Sequence, residues 1–251
     1  TASRAKRIHI SETNLTEDVH VTSRAAVKSE LTATEITETA RAIKSQEELE
    51  LMKVSMDVCE AGIRSMQEIL RPGIMENALW AKLHETNIRL GGEWIETRLL
   101  SSGPRTNPWF RECSMRSIEK GDMISFDTDL IGPYGYCSDI SRSWVCGASP
   151  TNDQLRLYEN AREQIEHNIS ILKAGKTFRE VSEQSWPIPE EFLSNRYTSL
   201  IHGVGLADEY PNIKHWNDFE KKGYDGILEA GMTLCVESFI CLLYTSPSPR
   251  D

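Results

Sequence analysis

Basic residues are under-represented in this 251-residue chain, with 28 Lys and Arg set against 38 Asp and Glu, for a net charge of −10. Such a surface repels phosphate backbones and anionic headgroups, which argues against nucleic acid and membrane as partners. Long hydrophobic runs are absent too, since no stretch approaches the ~20 apolar residues of a membrane span. The six cysteines, Cys59, Cys113, Cys137, Cys146, Cys235 and Cys241, include no Cys-x-x-Cys, which excludes a zinc ribbon and a dense disulfide framework. They read as free thiols of a reducing compartment, so a cytoplasmic protein is expected. The chain lacks an initial Met and a charged-then-apolar leader, from which we expect no secretory signal and a natural N-terminus upstream of Thr1. With 39% hydrophobic and 26% charged residues, neither disorder nor a fibrous repeat fits, and the length allows one or two domains with a full core.

Residues 1–40 are rich in Thr, Ser, Glu and Lys with little periodicity, and read as an extended remnant or linker of an N-terminal domain. Residues 41–240 form the expected folded domain, incomplete at its C-terminal end. Residues 241–251 switch composition abruptly and read as a non-native tail. Within the domain, Ser45 and Glu48 form a capping box. Apolar residues at 3,4 spacing from Leu49 through Met52, Met56, Cys59, Ile63 and Met66 then give a core helix, stopped by Pro72-Gly73. A second helix is expected over 75–90 with Leu79, Leu83 and Leu90 inward. A third, capped by Thr151 and Gln154, runs inward through Leu155, Tyr158, Ile165, Ile169 and Leu172. Strands are expected at 94–101, 122–130, 136–145 and 232–240, the middle pair as a hairpin across Ile131-Gly-Pro-Tyr-Gly135. Ile69-Leu-Arg-Pro-Gly73 is echoed by Ile171-Leu-Lys-Ala-Gly175, and Gly-Asp-Met123 before Asp127 by Ala-Gly-Met232 before Glu237. The echo suits two similar halves folded face to face.

Asp127 and Asp129, two apart on one expected strand, share a face, and the hairpin brings Asp139 opposite them. Three carboxylates at that range repel by kilocalories unless a proton or cation intervenes, so metal binding is one reading and ordinary turn aspartates the other. His202-Gly-Val-Gly205 offers an imidazole beside glycines that let backbone approach a site, though a lone histidine is more often structural. Glu237 sits in an apolar run and needs a partner. Such hard oxygen donors favour iron or manganese, with zinc left open.

In this order, Asp127, Asp139-Ile-Ser-Arg142, His202-Gly-Val-Gly and Ala230-Gly-Met with Glu237 resemble the creatinase and aminopeptidase "pita-bread" family. Arg41-Ala-Ile-Lys-Ser-Gln-Glu-Glu-Leu-Glu50 resembles the opening of its catalytic domain in prolidases. The resemblance implies an α+β fold of pseudo-two-fold halves, with a curved antiparallel sheet covered by helices. It also implies a homodimer, and four metal ligands at Asp127, Asp139, His202 and Glu237, with a fifth, a glutamate, beyond Ile240.

Three departures from the peptidases bear on the chemistry. Trp109 stands where they place a loop histidine, Leu206-Ala-Asp208-Glu209 replaces their His-Glu pair, and Asp129 replaces a small residue. With Ser102-Gly-Pro-Arg-Thr-Asn-Pro-Trp-Phe110, these features are similar to the dimethylsulfoniopropionate lyases of this fold. That likeness implies iron, with manganese, zinc or cobalt as alternatives, held by Asp127, Asp129, Asp139, His202 and Glu237. It implies Asp208 as base, Tyr197 as an assisting residue and Trp109 against the sulfonium of a small zwitterion. The rival readings are an Xaa-Pro-type metallopeptidase and a non-catalytic peptide-binding domain.

Overall fold

The computed structural model describes residues 33–107 and 109–241; the expectations for 1–32 and 242–251 lie outside them. Ala33–Arg41 is a helix, α1, so residues 33–40 are helical where an extended linker is expected. Ala, Glu and Arg there are strong helix formers.

The domain begins with α2 (Gln46–Ile69), whose Ser45–Glu48 capping box is formed in both directions. Met52, Cys59, Ile63 and Met66 are buried, while Met56 is exposed and leaves the expected stripe. Helix α3 (Glu76–Arg89) buries Leu79 and Leu83; Leu90 caps its C-terminus and is exposed. These two helices cover a three-stranded antiparallel sheet ordered β1 (Leu100–Ser102), β2 (Met123–Phe126), β5 (Arg142–Val145). Leu100, Ile118, Ile124 and Phe126 complete that core.

The expected strands are shorter than their apolar patterns. Of 94–101 only the end is strand, with Ile95 and Leu99 in isolated bridges. The chain leaves β2 at Asp127, whose N–H donates to the Leu99 carbonyl at 2.9 Å, and re-enters as β3 (Asp129–Ile131) against β4 (Cys137–Asp139). Asp127 and Asp129 therefore do not share one unbroken strand.

The second core lies on a three-stranded antiparallel sheet ordered β7 (Asp208–Lys214), β6 (Ser199–Val204), β8 (Leu234–Val236). Phe178, Val181, Leu200 and Ile213 fill it, with α5 (Phe178–Glu183) and α7 (Trp216–Lys222) alongside; α6 (Glu190–Leu193) adds a short turn. The strands β6 and β7 have no counterpart among the expected elements. Helix α4 (Asn152–Ile171) has the expected Thr151–Gln154 capping box. Its buried residues, however, are Gln164 and Asn168, whereas Leu155, Tyr158 and Ile169 are exposed. Polar partners explain this: Gln164 Oε1 accepts from Ser238 Oγ at 2.8 Å and Asn168 Oδ1 from the Trp186 N–H at 2.9 Å.

The internal echo is structural. Helices α2 and α4 both end at the isoleucine of the repeated motif, and Leu70 and Leu172 then turn extended. Gly73 and Gly175 follow with φ of 93° and 92°, a region costly for residues with a Cβ, and each N–H donates across the domain at 2.8 Å, to Ile118 O and Leu228 O. Cys59, Cys113, Cys137, Cys146 and Cys235 are free thiols. Among the described residues no helix is long and apolar enough to cross a membrane.

Candidate active site

The β3–β4 register sets Asp129 directly opposite Asp139. The β6–β8 register sets His202 opposite Cys235, and Glu237 follows as its N–H donates to Leu200 O at 3.0 Å. The His202 Nε2 atom thereby lies 3.1 Å from Asp139 Oδ2 and 3.2 Å from Glu237 Oε1. Asp127, held by Ser141 Oγ at 2.8 Å, and Asp129, held by Thr97 Oγ1 at 3.3 Å, face the same cavity of about 440 Å³. Asp208 opens β7 at its rim, half-exposed, with Oδ1 3.8 Å from the other imidazole nitrogen, Nδ1. The cavity thus gathers all five expected ligand residues and the expected base.

The glycines of His202-Gly-Val-Gly205 serve a different purpose from the one expected. A Cβ on Gly203 would strike the Tyr210 carbonyl, and one on Gly205 the Glu209 carboxylate, so both permit close packing of β6 on β7 rather than approach to a ligand.

Five carboxylates and one imidazole line this cavity, and no Lys or Arg does so among the described residues. The electrostatics record the imbalance. Burial, then the fields of Asp139 and Glu237, push Asp127 up to about 8. Burial, then Asp208 and Asp139, push Asp129 up to about 7. Burial alone would lower His202, but hydrogen bonds to Asp139 and Glu237 push it up to about 11. Asp208 is pushed up to about 6 by burial, although the imidazolium beside it pulls the other way. A divalent cation would neutralise this cluster, and the oxygen-rich donor set with one imidazole fits it.

The opposite wall is aromatic. Trp109 and Phe110 stand 6.1 Å apart between ring centroids, Phe239 packs on both, and Phe110 meets Tyr197 at 5.6 Å. Burial, then Glu237, pushes the Tyr197 hydroxyl up to about 12, so it is protonated at neutral pH. Phe110 and Phe239 have no role in the sequence reading, although Phe110 directly follows Trp109 and Phe239 lies two residues after Glu237. Thr97 and Ser141 are likewise added by the structure.

A profile of metallopeptidase family M24 matches residues 50–247. The chain belongs to metallopeptidase family M24. It is 47% identical over 212 residues to a dimethylsulfoniopropionate lyase of Roseovarius nubinhibens and 44% identical over 212 residues to one of Roseobacter denitrificans. Each match takes in 82% of this chain, and the chain spans about half the length of these relatives, 48% and 47%. The Xaa-Pro dipeptidase of Pyrococcus furiosus is 28% identical over 202 residues, covering 78% of this chain and 55% of the relative. Among solved structures, a prolidase from Pyrococcus furiosus superposes with a TM-score of 0.70 at 26% identity, over 82% of this chain and 60% of the other. The M24 chain has the pita-bread fold, with helices on antiparallel sheets.

Proposed function

We propose that the intact protein is a metal-dependent lyase that splits dimethylsulfoniopropionate into dimethyl sulfide and acrylate. The observation that carries the reading is the composition of the cavity: His202 is the one histidine lining it among the described residues, and an aromatic wall faces the carboxylates. Peptide hydrolysis in this fold calls for further histidines to shuttle protons, whereas an elimination needs one base and a place for a cation. Relatives named for this lyase at 47% and 44% identity, against 28% for the dipeptidase, point the same way.

Asp127, Asp129, Asp139, His202 and Glu237 would hold the metal, with iron as the first choice. When bound, the metal supplies Lewis acidity toward the substrate carboxylate, a contribution of several kcal/mol. Trp109, with Phe110 and Phe239 packed on it in the same wall, takes the dimethylsulfonium; a desolvated cation–π contact gives about 2 kcal/mol. Asp208 removes the proton from the carbon beside the carboxylate. The electron pair of that C–H bond forms the carbon–carbon double bond of acrylate. The C–S bond breaks and its pair leaves on sulfur as neutral dimethyl sulfide, so no general acid is needed. A base whose value lies near neutrality is suited to this, worth roughly 10²- to 10⁴-fold. Tyr197, protonated, donates toward the substrate. As parts of the same reading, the protein acts as a homodimer in the cytoplasm.

Headspace gas chromatography of the intact protein with dimethylsulfoniopropionate, beside a hydrolysis assay on proline-containing dipeptides, tests the proposal. Dimethyl sulfide without dipeptide cleavage is expected; dipeptide cleavage without dimethyl sulfide would return the protein to the peptidases.

A further inference from the structure

Glu76, the first residue of α3, is completely buried outside the cavity, yet its carboxylate collects five donors. Oε1 accepts from the Ser102 N–H at 2.9 Å and the Ser102 hydroxyl at 2.7 Å. Oε2 accepts from the Ser114 N–H at 3.0 Å, the Ser114 hydroxyl at 2.6 Å and the Arg105 guanidinium. Burial would raise this carboxyl, but these donors hold it below the usual glutamate range.

The donors come from both ends of one excursion. Ser102 closes β1, Arg105 lies in the 3-10 turn Gly103–Thr106, and Ser114 stands where the chain returns. Arg105 also donates from its other terminal nitrogen to the Glu112 carbonyl at 2.9 Å. Backbone bonds also hold the base of the loop: Leu99 and Glu112 form an isolated bridge, the Cys113 N–H donates to Arg98 O at 2.8 Å and the Asn77 N–H to Ser114 O at 3.1 Å, so the Glu76 carboxylate adds the side-chain part of the hold. At the tip stand Trp109 and Phe110, and Phe110 has φ of 63°. A bulky side chain keeps that conformation where its surroundings over-determine it.

We propose that Glu76 is a positioning residue: its carboxylate clamps both ends of the 103–113 loop and so fixes the aromatic wall formed by Trp109 and Phe110. The function of the wall rests on the lyase reading; the clamp rests on the hydrogen bonds alone. Glutamine at this position keeps the shape but turns an NH2 group toward N–H and O–H donors on one side, so the clamp opens at one end.

The test uses the intact, metal-loaded protein with Glu76→Gln and the milder Arg105→Lys, which keeps charge but loses the fork. Hydrogen exchange at amides 103–113 should quicken at least ~10-fold in Glu76→Gln and less in Arg105→Lys, with the β2–β5 amides unchanged. The KM for dimethylsulfoniopropionate should rise about 10-fold while kcat stays within about 3-fold and metal content is unchanged. On a Trp109→Ala background Glu76→Gln should add little, because both act through one wall. Unaltered loop exchange in both variants overturns the clamp, as does a fall in kcat at constant KM. If Glu76→Gln fails to fold, unaltered exchange in Arg105→Lys and Ser114→Ala overturns it equally. Absence of dimethyl sulfide from the parent protein rejects the lyase reading, and the exchange data still decide the clamp.

Discussion

Removing the metal should invert the usual acid sensitivity of the fold. Asp127 and Asp129 titrate at about 8 and about 7 in the folded protein, against an ordinary 3.8, and His202 at about 11 against 6.5. Each is raised, so each binds its proton more tightly when folded. Each therefore contributes stability in full below its unfolded value and loses it as pH rises toward its folded value. A group protonated in the folded state and ionised in the unfolded state contributes about 1.4 kcal/mol per pH unit. Between about pH 5 and pH 8, Asp127 and Asp129 together span several such units. The site opens to solvent, which screens part of the effect, and we take a loss of roughly 3 kcal/mol. At ~2–4 °C per kcal/mol for a domain of this size, the chelated protein should melt about 6–12 °C lower at pH 8 than at pH 5. With a divalent metal restored, the carboxylates stay ionised and the slope should flatten. Differential scanning calorimetry of protein dialysed against a chelator, with and without added metal, reads both curves. A chelated protein whose Tm holds steady or climbs over this range would refute the reasoning.

Asp129→Ala in the intact protein should lower both metal content and turnover, measured by elemental analysis beside dimethyl sulfide release. Asp208→Asn should keep metal and fold yet lose at least ~10²-fold in kcat, with substrate affinity changed far less. Leu79→Ala, fully buried in the first core, should cost about 2–5 kcal/mol in urea denaturation. Glu76, held below the ordinary 4.5, contributes stability above that value that is lost as the pH falls below it, so Glu76→Gln should flatten the acid limb of the metal-loaded protein's stability curve.

What could be read beforehand were features whose cause is local. The capping boxes at Ser45 and Thr151 need only four residues, and both are formed. The Asp129–Asp139 pairing follows from one turn, Gly132 to Gly135, in which Tyr134 and Gly135 take positive φ. The β6–β7 hairpin was illegible because the residues β7 buries, Glu209, Pro211 and Ile213, include a charge and a proline. Glu209 can be buried there because Lys44, 165 residues earlier, pairs with it in the interior. The inward face of α4 departs from its apolar pattern for the same reason, since Gln164 and Asn168 find partners at Ser238 and Trp186. Asp127, Asp129, Asp139 and Glu237 stand out in the sequence as carboxylates in or beside apolar stretches, and His202 as an imidazole in a glycine-flanked run. Glu76 did not, because nothing in Met75-Glu76-Asn77 shows that five donors from another loop converge on it.

The proposed ligand residues lie far apart in the chain, with Asp127 and Glu237 separated by 110 positions (237 − 127) and His202 between them. Each is held by a short strand of three to six residues or by the link beside one, and none of those strands is stable alone. The imidazole meets Asp139 only when β6 docks beside the local β3–β4 hairpin, where the Cys137 N–H donates to Gly205 O at 2.7 Å, and such sequence-remote contacts arise late because loop closure precedes any reward for it. A nascent chain would therefore complete the proposed metal site only near the end of folding. Metal uptake during refolding should track the last kinetic phase, making the ion a seal on the finished fold rather than a template for it.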